Sequence, residues 1–378
     1  MRGSIAIWHD TFANDAEGYS PRVEIHINIW RNKERNQRGQ FDLFDIGLRF
    51  EEFRALRTLS ISLPFEIRRD EDVSDLFEIM HDAPTLSAIF NETLAAGGMQ
   101  DGGRTFSVSH TETERIQFYV ASCPINERQI STIGSGVDRV SVITLSDEFF
   151  SRLRIRVGDH YVRLRVKVPI GTKNGFVSLN GPKDSAFLST ISTNEIIEFR
   201  LNERRNFSTA IRERLQANDC ALIDISAVHY FLIRDMGVEM TQSHTAFKKM
   251  RRLEPDMWER YLENYCGFNP DKMIIYHWAS FAPSANGSVE SFTALATFRA
   301  YYTGSLWIYG LVIVALGAMG SATQGLFTGL LSIYFEGSSY GCADHNATTC
   351  GITIWNALLL ILLIGLLAIL VVMRRREP

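Results

Sequence analysis

The sequence predicts an α+β protein: β-rich cytoplasmic domain(s) followed by a C-terminal two-helix transmembrane hairpin. Residues 306–335 and 352–373 are two apolar stretches without a single charged side chain. A helix needs roughly 20 apolar residues to cross a bilayer. Earlier in the chain, residues 23–29 alternate apolar and polar side chains, which is typical of a half-buried strand.

The N-terminal part, residues 1–145, is predicted to be a β-rich domain. Its predicted strands cover residues 23–29, 41–50, 59–67, 105–108, 115–120 and 139–145. A short helix is expected over residues 74–81. Residues 95–104 contain four glycines and are predicted to form a loop.

Residues 146–282 are predicted to form an α+β domain or to continue the first domain. The predicted elements are a helix over 201–218, a central strand over 221–233, a helical region over 243–265 and a strand over 273–278. Pro255 would kink or split the helical region. Residues 283–303 are read as a linker and an amphipathic interfacial segment.

The predicted hairpin covers residues 304–376, with a short outer loop over 336–351. This loop contains no Lys or Arg, whereas Arg374, Arg375 and Arg376 follow the second stretch. Because Lys and Arg are retained on the cytoplasmic side, both termini are expected in the cytoplasm and the protein in the inner (plasma) membrane. Cys342 and Cys350 share the outer loop, where a disulfide could form.

Small residues recur at every fourth position in part of the first apolar stretch: Gly317, Ser321, Gly325 and Gly329. Such a pattern lets another helix approach closely. Packing between the two hairpin helices and self-association of several hairpins both fit it. Gln324 and Thr328, one helical turn apart, are the candidates for lining a pore.

Composition excludes some classes of partner. The formal net charge is −4, which argues against general nucleic-acid binding. The first ten residues contain no apolar core of signal-peptide length, so the bulk of the chain is expected in the cytoplasm. Cys123, Cys220 and Cys266 are isolated and show no metal-ligand spacing.

Residues 152–168 carry the clearest binding pattern, in which basic and apolar side chains alternate on either side of Gly158 and Asp159. A two-residue turn there would form a β-hairpin with six basic side chains on one face: Arg152, Arg154, Arg156, Arg163, Arg165 and Lys167. Like charges facing one another are destabilising, so this face needs an anionic partner. That partner is a bound anion, or a neighbouring strand that carries Glu195 and Glu198. Alternatively, residues 146–152 begin as a helix and shorten the first strand.

No catalytic, cofactor or metal site is predicted. The sequence contains no HExxH, GxSxG or GxGxxG motif. His229 lies in an apolar run and is interpreted as a core histidine. The basic cluster of Lys248, Lys249, Arg251 and Arg252 fits either a solvated helix face or a surface close to anionic lipid.

The order of a large cytosolic domain, two membrane helices and a basic tail is similar in outline to CorA-like divalent-cation channels. The Gly-Met-Asn signature of that family is absent, and residues 334–338 (Tyr-Phe-Glu-Gly-Ser) stand in its place. The layout is also like that of two-helix membrane effectors in bacterial antiviral systems.

The leading functional hypothesis is a membrane-tethered sensor or effector. It would bind an anionic ligand or a protein partner and would act at the lipid bilayer as a homo-oligomer, with permeabilisation as one outcome. A constitutive oligomeric ion channel is the first alternative. A membrane-anchored structural adaptor is the second.

Overall fold

The computed structural model describes most of the chain in nine ranges and two single residues: 4–12, 20–31, 41–67, 69–169, 175–180, 192–217, 220–265, 267–301 and 304–335, with Ile361 and Ile364. One compact unit comprises residues 1–182 and 193–300, and a second comprises residues 183–192 and 301–378. The β-sheets belong to the first unit.

The described elements are mostly strands. The strands are β1 (Ala6–Thr11), β2 (Arg22–Trp30), β3 (Phe41–Glu52), β4 (Leu56–Leu63), β5 (Val73–Asp75), β6 (Leu94–Gln100), β7 (Thr105–His110), β8 (Ile116–Ala121), β9 (Ile130–Ile133), β10 (Val140–Leu145), β11 (His160–Pro169), β12 (Val177–Asn180), β13 (Ser192–Leu201), β14 (Ala221–Leu222), β15 (Asp224–Asp235), β16 (Val238–Ser243), β17 (Lys249–Arg252), β18 (Met273–Phe281) and β19 (Phe292–Tyr301). The α-helices are α1 (Phe77–Met80), α2 (Ala83–Phe90), α3 (Asp147–Leu153), α4 (Thr209–Gln216), α5 (Pro255–Leu262) and α6 (Gly304–Phe335).

The largest sheet has ten strands. Nine of them follow the order β17-β18-β15-β2-β3-β11-β8-β7-β6, and β5 pairs with β11 beside this path. The neighbours β2 and β15 are parallel, as are β8 and β11. The remaining pairs in this sheet are antiparallel.

Two smaller sheets complete the β-structure of the first unit. One has the order β14-β1-β4-β10-β9 and the other the order β12-β13-β19-β16. Side chains of all three sheets meet in one core, among them Ile7, Ile25, Ile143, Phe199 and Phe298. The first unit is therefore a β-sandwich, in which apolar side chains of the three sheets face a shared core. Each fully buried Ile or Phe contributes about 1.5–3 kcal/mol relative to an exposed one.

Helices cover the other face of the ten-stranded sheet. Residues of α1, α2 and α5 form a second core with this face, including Leu86 and Trp258 packed with Trp30. Asp82 accepts a hydrogen bond from the Thr85 amide at the start of α2. It also pairs with Arg260 of α5 at 2.8 Å. The two helices therefore form one layer over the sheet.

Strand β2 confirms the alternation expected for residues 23–29. Val23, Ile25, Ile27 and Ile29 are buried in the sandwich core, whereas Glu24, His26 and Asn28 point to the helix-covered face, because successive side chains of a strand alternate between faces.

Strand β15 contains an irregularity that local sequence does not reveal. Its pairing with β2 shifts register between Ile225 and Ala227, as a β-bulge does. Ile225 and Tyr230 consequently contribute to the sandwich core, while Phe231 and Ile233 belong to the helix-covered side. Within residues 221–233, the odd-numbered side chains therefore face the sandwich core before the bulge and the helix-covered side after it.

Several predicted elements differ from the observed ones. The glycine-bearing segment 95–104 was expected to be a loop, but most of it forms β6. The helical region over 243–265 is instead strand β17 followed by α5, and Pro255 occupies the first turn of α5, where its missing N–H costs nothing. The expected interfacial segment is strand β19, and its Phe298 is fully buried in the core.

The transmembrane hairpin is the largest correction. Helix α6 is one continuous helix of 32 residues, but no helix in the described part of the chain is long and apolar enough to span a membrane. Glycine, serine and threonine recur along α6, which also contains Gln324, and these residues lower its apolar content. The predictions of a two-pass membrane protein and of an inner-membrane location are therefore wrong. The outer loop 336–351 and nearly all of 352–373 lie outside the described residues.

Candidate metal centre

A cavity of about 500 Å³ opens between the ten-stranded sheet and its helix layer. Strands β2, β15 and β18 supply its floor, and the C-terminal end of α2 and Trp258 of α5 supply part of its wall. Asn91 follows the last residue of α2, takes a left-handed conformation with φ of 54° and also lines the cavity.

Three side chains on this floor form a compact donor set, which we call the two-histidine triad: Glu24, His26 and His229. Their ligand atoms all lie within 4.8 Å of one another. Glu24 and His26 share a face because they are two residues apart on β2. His229 is the direct neighbour of His26 in the parallel pairing of β15 with β2, so strand register alone places the third donor beside the other two.

The distances in the triad suit a shared ion. Glu24 Oε1 lies 2.8 Å from His26 Nε2 and 3.4 Å from His229 Nε2. Tetrahedral zinc with bonds of about 2.0–2.1 Å separates its ligand atoms by roughly 3.3 Å. Without an ion the same atoms form hydrogen bonds, in which both imidazoles donate to the carboxylate.

The protonation states also suit a metal. Burial, opposed by Glu24, lowers the pKa of His26 to about 4, so its imidazole is neutral at pH 7 and its lone pair lies on Nε2 once the ring proton is on Nδ1. Burial by itself raises the pKa of Glu24, but hydrogen bonds from His229 and His26 outweigh it and hold that pKa far below its usual range. The set therefore offers one carboxylate and neutral imidazole nitrogen, as metal ligands require.

Each histidine of the triad has a partner for its second ring nitrogen. His229 Nδ1 lies 3.2 Å from His277 Nε2, and His26 Nδ1 lies 3.4 Å from the Tyr161 hydroxyl. Such outer partners orient metal-binding imidazoles and fix their tautomers. Burial, reinforced by the neighbouring His229 and Lys248, lowers the pKa of His277 to about 3.

Cationic and aromatic side chains line the rest of the cavity. Lys248, Lys249 and Arg251 line it from the β17 edge of the sheet. Aromatic side chains of Phe90, Phe118, Phe231 and Trp258 also line it. Trp258 is 1% exposed, and its Nε1 has no hydrogen-bond partner among the described residues.

The basic hairpin predicted over residues 152–168 is not formed. Residues 147–153 form helix α3, which is the alternative in which the segment begins as a helix. Only the second half is a strand, β11, which pairs with β3 on one side. The six basic side chains consequently do not share one face of a hairpin.

Arg163 and Arg165 lie in what we call the buried ion cluster, with Asp45 and Tyr261. Asp45 Oδ1 accepts a 2.6 Å hydrogen bond from Arg165 Nε, and Oδ2 accepts one of 2.6 Å from the Tyr261 hydroxyl. Arg163 donates to the hydroxyls of Tyr261 and Tyr161 at 2.7 and 2.8 Å. The anionic partner is therefore Asp45 of β3, and neither of the glutamates considered from sequence.

The other four basic residues are dispersed. Arg152 donates weakly to the Ser122 carbonyl at 3.4 Å. Arg154 pairs with Asp147, and Arg156 pairs with Asp101. Lys167 lies over the Phe41 ring at 5.5 Å. Glu195 pairs with Arg31 and Arg234 in another buried group.

The residues singled out in the C-terminal stretch lie on α6. Ser321 and Gln324 are exposed there, and the Thr328 hydroxyl donates to the Gln324 carbonyl at 2.8 Å. Gly317 has open space around its Cα, and Gly325 and Gly329 follow on the same helix. Cys342 and Cys350 lie outside the described residues.

The triad was missed at the level of sequence, although part of its signal is visible. Glu24 and His26 alternate with apolar residues on β2, so a Glu-x-His pair on the polar face of a strand was readable. His229 was interpreted as a core histidine because it lies in an apolar run, but the β15 bulge places it on a different face from Ile225.

Comparison with known proteins supplies no relative. No protein-family model matches the chain, and a search of curated proteins found no match.

Proposed function

We propose that this chain binds a divalent transition-metal ion, zinc foremost, at the two-histidine triad, and binds a small anionic ligand in the same cavity. The observation that carries the proposal is the convergence of the three donors on one cavity. A set of two imidazoles and one carboxylate is a common protein ligand set for zinc and for non-haem iron.

The number of donors matters for what the ion can do. Three protein ligands leave at least one position of a tetrahedral ion open to water or to a bound molecule. A structural zinc site usually has four protein ligands. The triad faces a cavity of about 500 Å³, which is within the usual size range of small-molecule sites.

The lining supports an anionic ligand of moderate size. Lys248, Lys249 and Arg251 provide positive charge at one side, where phosphate or carboxylate groups are attracted. The aromatic walls favour a ligand with an apolar or planar part. The Trp258 indole N–H is an additional donor, since it lacks a partner among the described residues.

The first test is zinc binding to the purified chain, measured by isothermal titration after treatment with a chelator. We expect one zinc ion per chain and an affinity that falls more than about 100-fold in Glu24→Gln, since the loss of an outer partner alone costs about 10–100-fold. His244→Ala removes an exposed histidine outside the cavity and should leave zinc affinity unchanged.

The proposal fails if Glu24→Gln binds zinc as tightly as the wild type. Circular dichroism of the variant shows whether its fold is intact. A second titration, of inorganic phosphate into the zinc-loaded protein, tests the anion. The double variant Lys248→Ala with Lys249→Ala should weaken phosphate binding without changing zinc affinity, because these lysines line the cavity outside the triad.

A further inference from the structure

A second cavity of about 500 Å³ lies away from the triad, next to α3 and the segment that follows β8. Three arginines line it: Arg104, Arg128 and Arg152. Glu148 is the one acidic side chain among its described lining residues. The cavity therefore has an excess of positive charge.

These three arginines differ in their pairing from Arg154 and Arg156. Arg154 and Arg156, close to Arg152 in sequence, each have an aspartate partner. Arg104, Arg128 and Arg152 form no ion pair with a described residue. Arg152 makes one long hydrogen bond, to the Ser122 carbonyl, so most guanidinium donors around the cavity remain available.

Hydrogen bonds fix residues 122–129, the segment that follows β8 and contains Arg128. Asp75 accepts from the Ser122 hydroxyl at 2.8 Å and from the Cys123 amide at 2.7 Å. Further along, the side chains of Asn126 and Gln129 form a capping box around the turn that contains Arg128.

A backbone hydrogen bond joins Arg104 to the same segment. The Ser122 amide donates to the Arg104 carbonyl at 2.9 Å, and the Ser122 carbonyl accepts from Arg152. The three arginines thus surround one short hydrogen-bonded segment, and Arg152 Nη2 donates to its backbone. Clustered arginines favour phosphate groups, which accept paired hydrogen bonds from a guanidinium fork.

We infer that this cavity binds a small phosphorylated ligand with two or more negative charges. The ligand would be held by Arg104, Arg128 and Arg152, and its binding does not depend on a metal at the triad. Arg152, one residue of the predicted basic hairpin, would thus bind an anion together with Arg104 and Arg128.

Pyrophosphate titrated into the chelator-treated protein at moderate ionic strength is the probe. We expect saturable binding that weakens at least about tenfold in the double variant Arg128→Ala with Arg152→Ala. The matched control is Arg212→Ala with Arg214→Ala, which removes two exposed charges from α4 and should leave affinity unchanged. Glu24→Gln, which removes zinc binding in the proposed function, should also bind pyrophosphate normally.

Three results would overturn the inference. One is the absence of saturable binding by the wild type at millimolar pyrophosphate. Another is equal affinity of the Arg128/Arg152 and Arg212/Arg214 double variants, which would indicate general charge attraction. The third is restoration of binding only when zinc is added, which would place the anion at the triad. The paired variant Arg128→Lys with Arg152→Lys retains charge, and intermediate affinity there would support recognition by the guanidinium fork.

Discussion

The two-histidine triad and the buried ion cluster lie on the same face of the same sheet, yet their polar groups are satisfied to different degrees. In the buried ion cluster, Asp45 accepts from Arg165, Tyr261 and Trp30, and the side chains of Asp45 and Arg165 are fully buried. The triad instead faces a cavity and offers an ion an open position. Burial of a carboxylate whose two oxygens both accept hydrogen bonds indicates a structural role, whereas convergence of donors on a cavity indicates a binding role.

A chain of contacts joins the two regions. Arg163 donates to Tyr161, and the Tyr161 hydroxyl lies 3.4 Å from His26 Nδ1. Gly47 of β3 makes room for this connection, because a Cβ at that position would collide with the Tyr161 hydroxyl. Substitutions in the triad, in the buried ion cluster and in the contacts between them can therefore test these two roles.

The largest effect is expected from Asp45→Asn. This variant keeps the size of the side chain but leaves the buried Arg165 without its carboxylate, and breaking such a pair costs about 3–5 kcal/mol. Urea unfolding of the wild type and the variant measures the loss. Glu66→Ala, which breaks an exposed pair with Arg139, should cost less than about 1 kcal/mol. Equal losses in the two variants would contradict a structural role for the buried ion cluster.

The stability due to Asp45 should depend on pH in a defined direction. Burial by itself raises the pKa of Asp45, but Arg165, Arg163 and Tyr261 outweigh it and hold the pKa below the ordinary value of 3.8. The contribution is therefore complete above the unfolded-state pKa and is lost as the pH falls through the folded-state pKa. Unfolding at a series of pH values should show the difference between wild type and Asp45→Asn shrinking below 3.8. A difference that grows on acidification would refute this assignment.

Gly47→Ala breaks the link between the two regions. The added methyl group must displace Tyr161, so we expect a loss of about 1–3 kcal/mol in the free energy of unfolding together with weaker zinc binding. Gly98→Ala is the control, since a Cβ there meets no atom within 4 Å. If Gly47→Ala lowers stability but leaves zinc affinity intact, the two regions are independent.

The smallest of these effects is expected from His277→Ala, and it is confined to the triad. Loss of the partner of His229 Nδ1 should lower zinc affinity about 10–100-fold. Stability without zinc should change little, because His277 borders the cavity. Competition against a fluorescent zinc chelator measures the affinity. An unchanged value would show that His277 does not orient His229.

Local sequence patterns predicted the positions of strands well, but they predicted poorly which strands pair with each other. The alternation along β2 was readable because the period of two follows from strand geometry. Arg165 and Asp45 are direct neighbours across β11 and β3, but nothing in residues 152–168 identifies β3 as the adjacent strand. Net charge along a segment likewise gave no indication that two of its arginines are buried.

Predicting the candidate site requires knowledge of which strands pair, and local sequence does not provide it. Glu24 and His26 lie two residues apart on one strand, whereas His229 joins them only through the β2–β15 pairing and after a bulge. The prediction of the transmembrane hairpin depended on the length and lack of charge of two apolar stretches, but no helix in the described part of the chain is long and apolar enough to span a membrane.

The parallel pairing of β2 with β15 has a consequence for how the chain folds. Parallel neighbours cannot be joined by a tight turn, and the residues they bring together are about 200 positions apart in the chain. Contacts between such distant segments form late and slowly, because closing a long loop precedes any gain from them. The proposed metal site would then be complete only after β15 has paired with β2. Newly synthesised, partly folded chains would remain without the metal until that step.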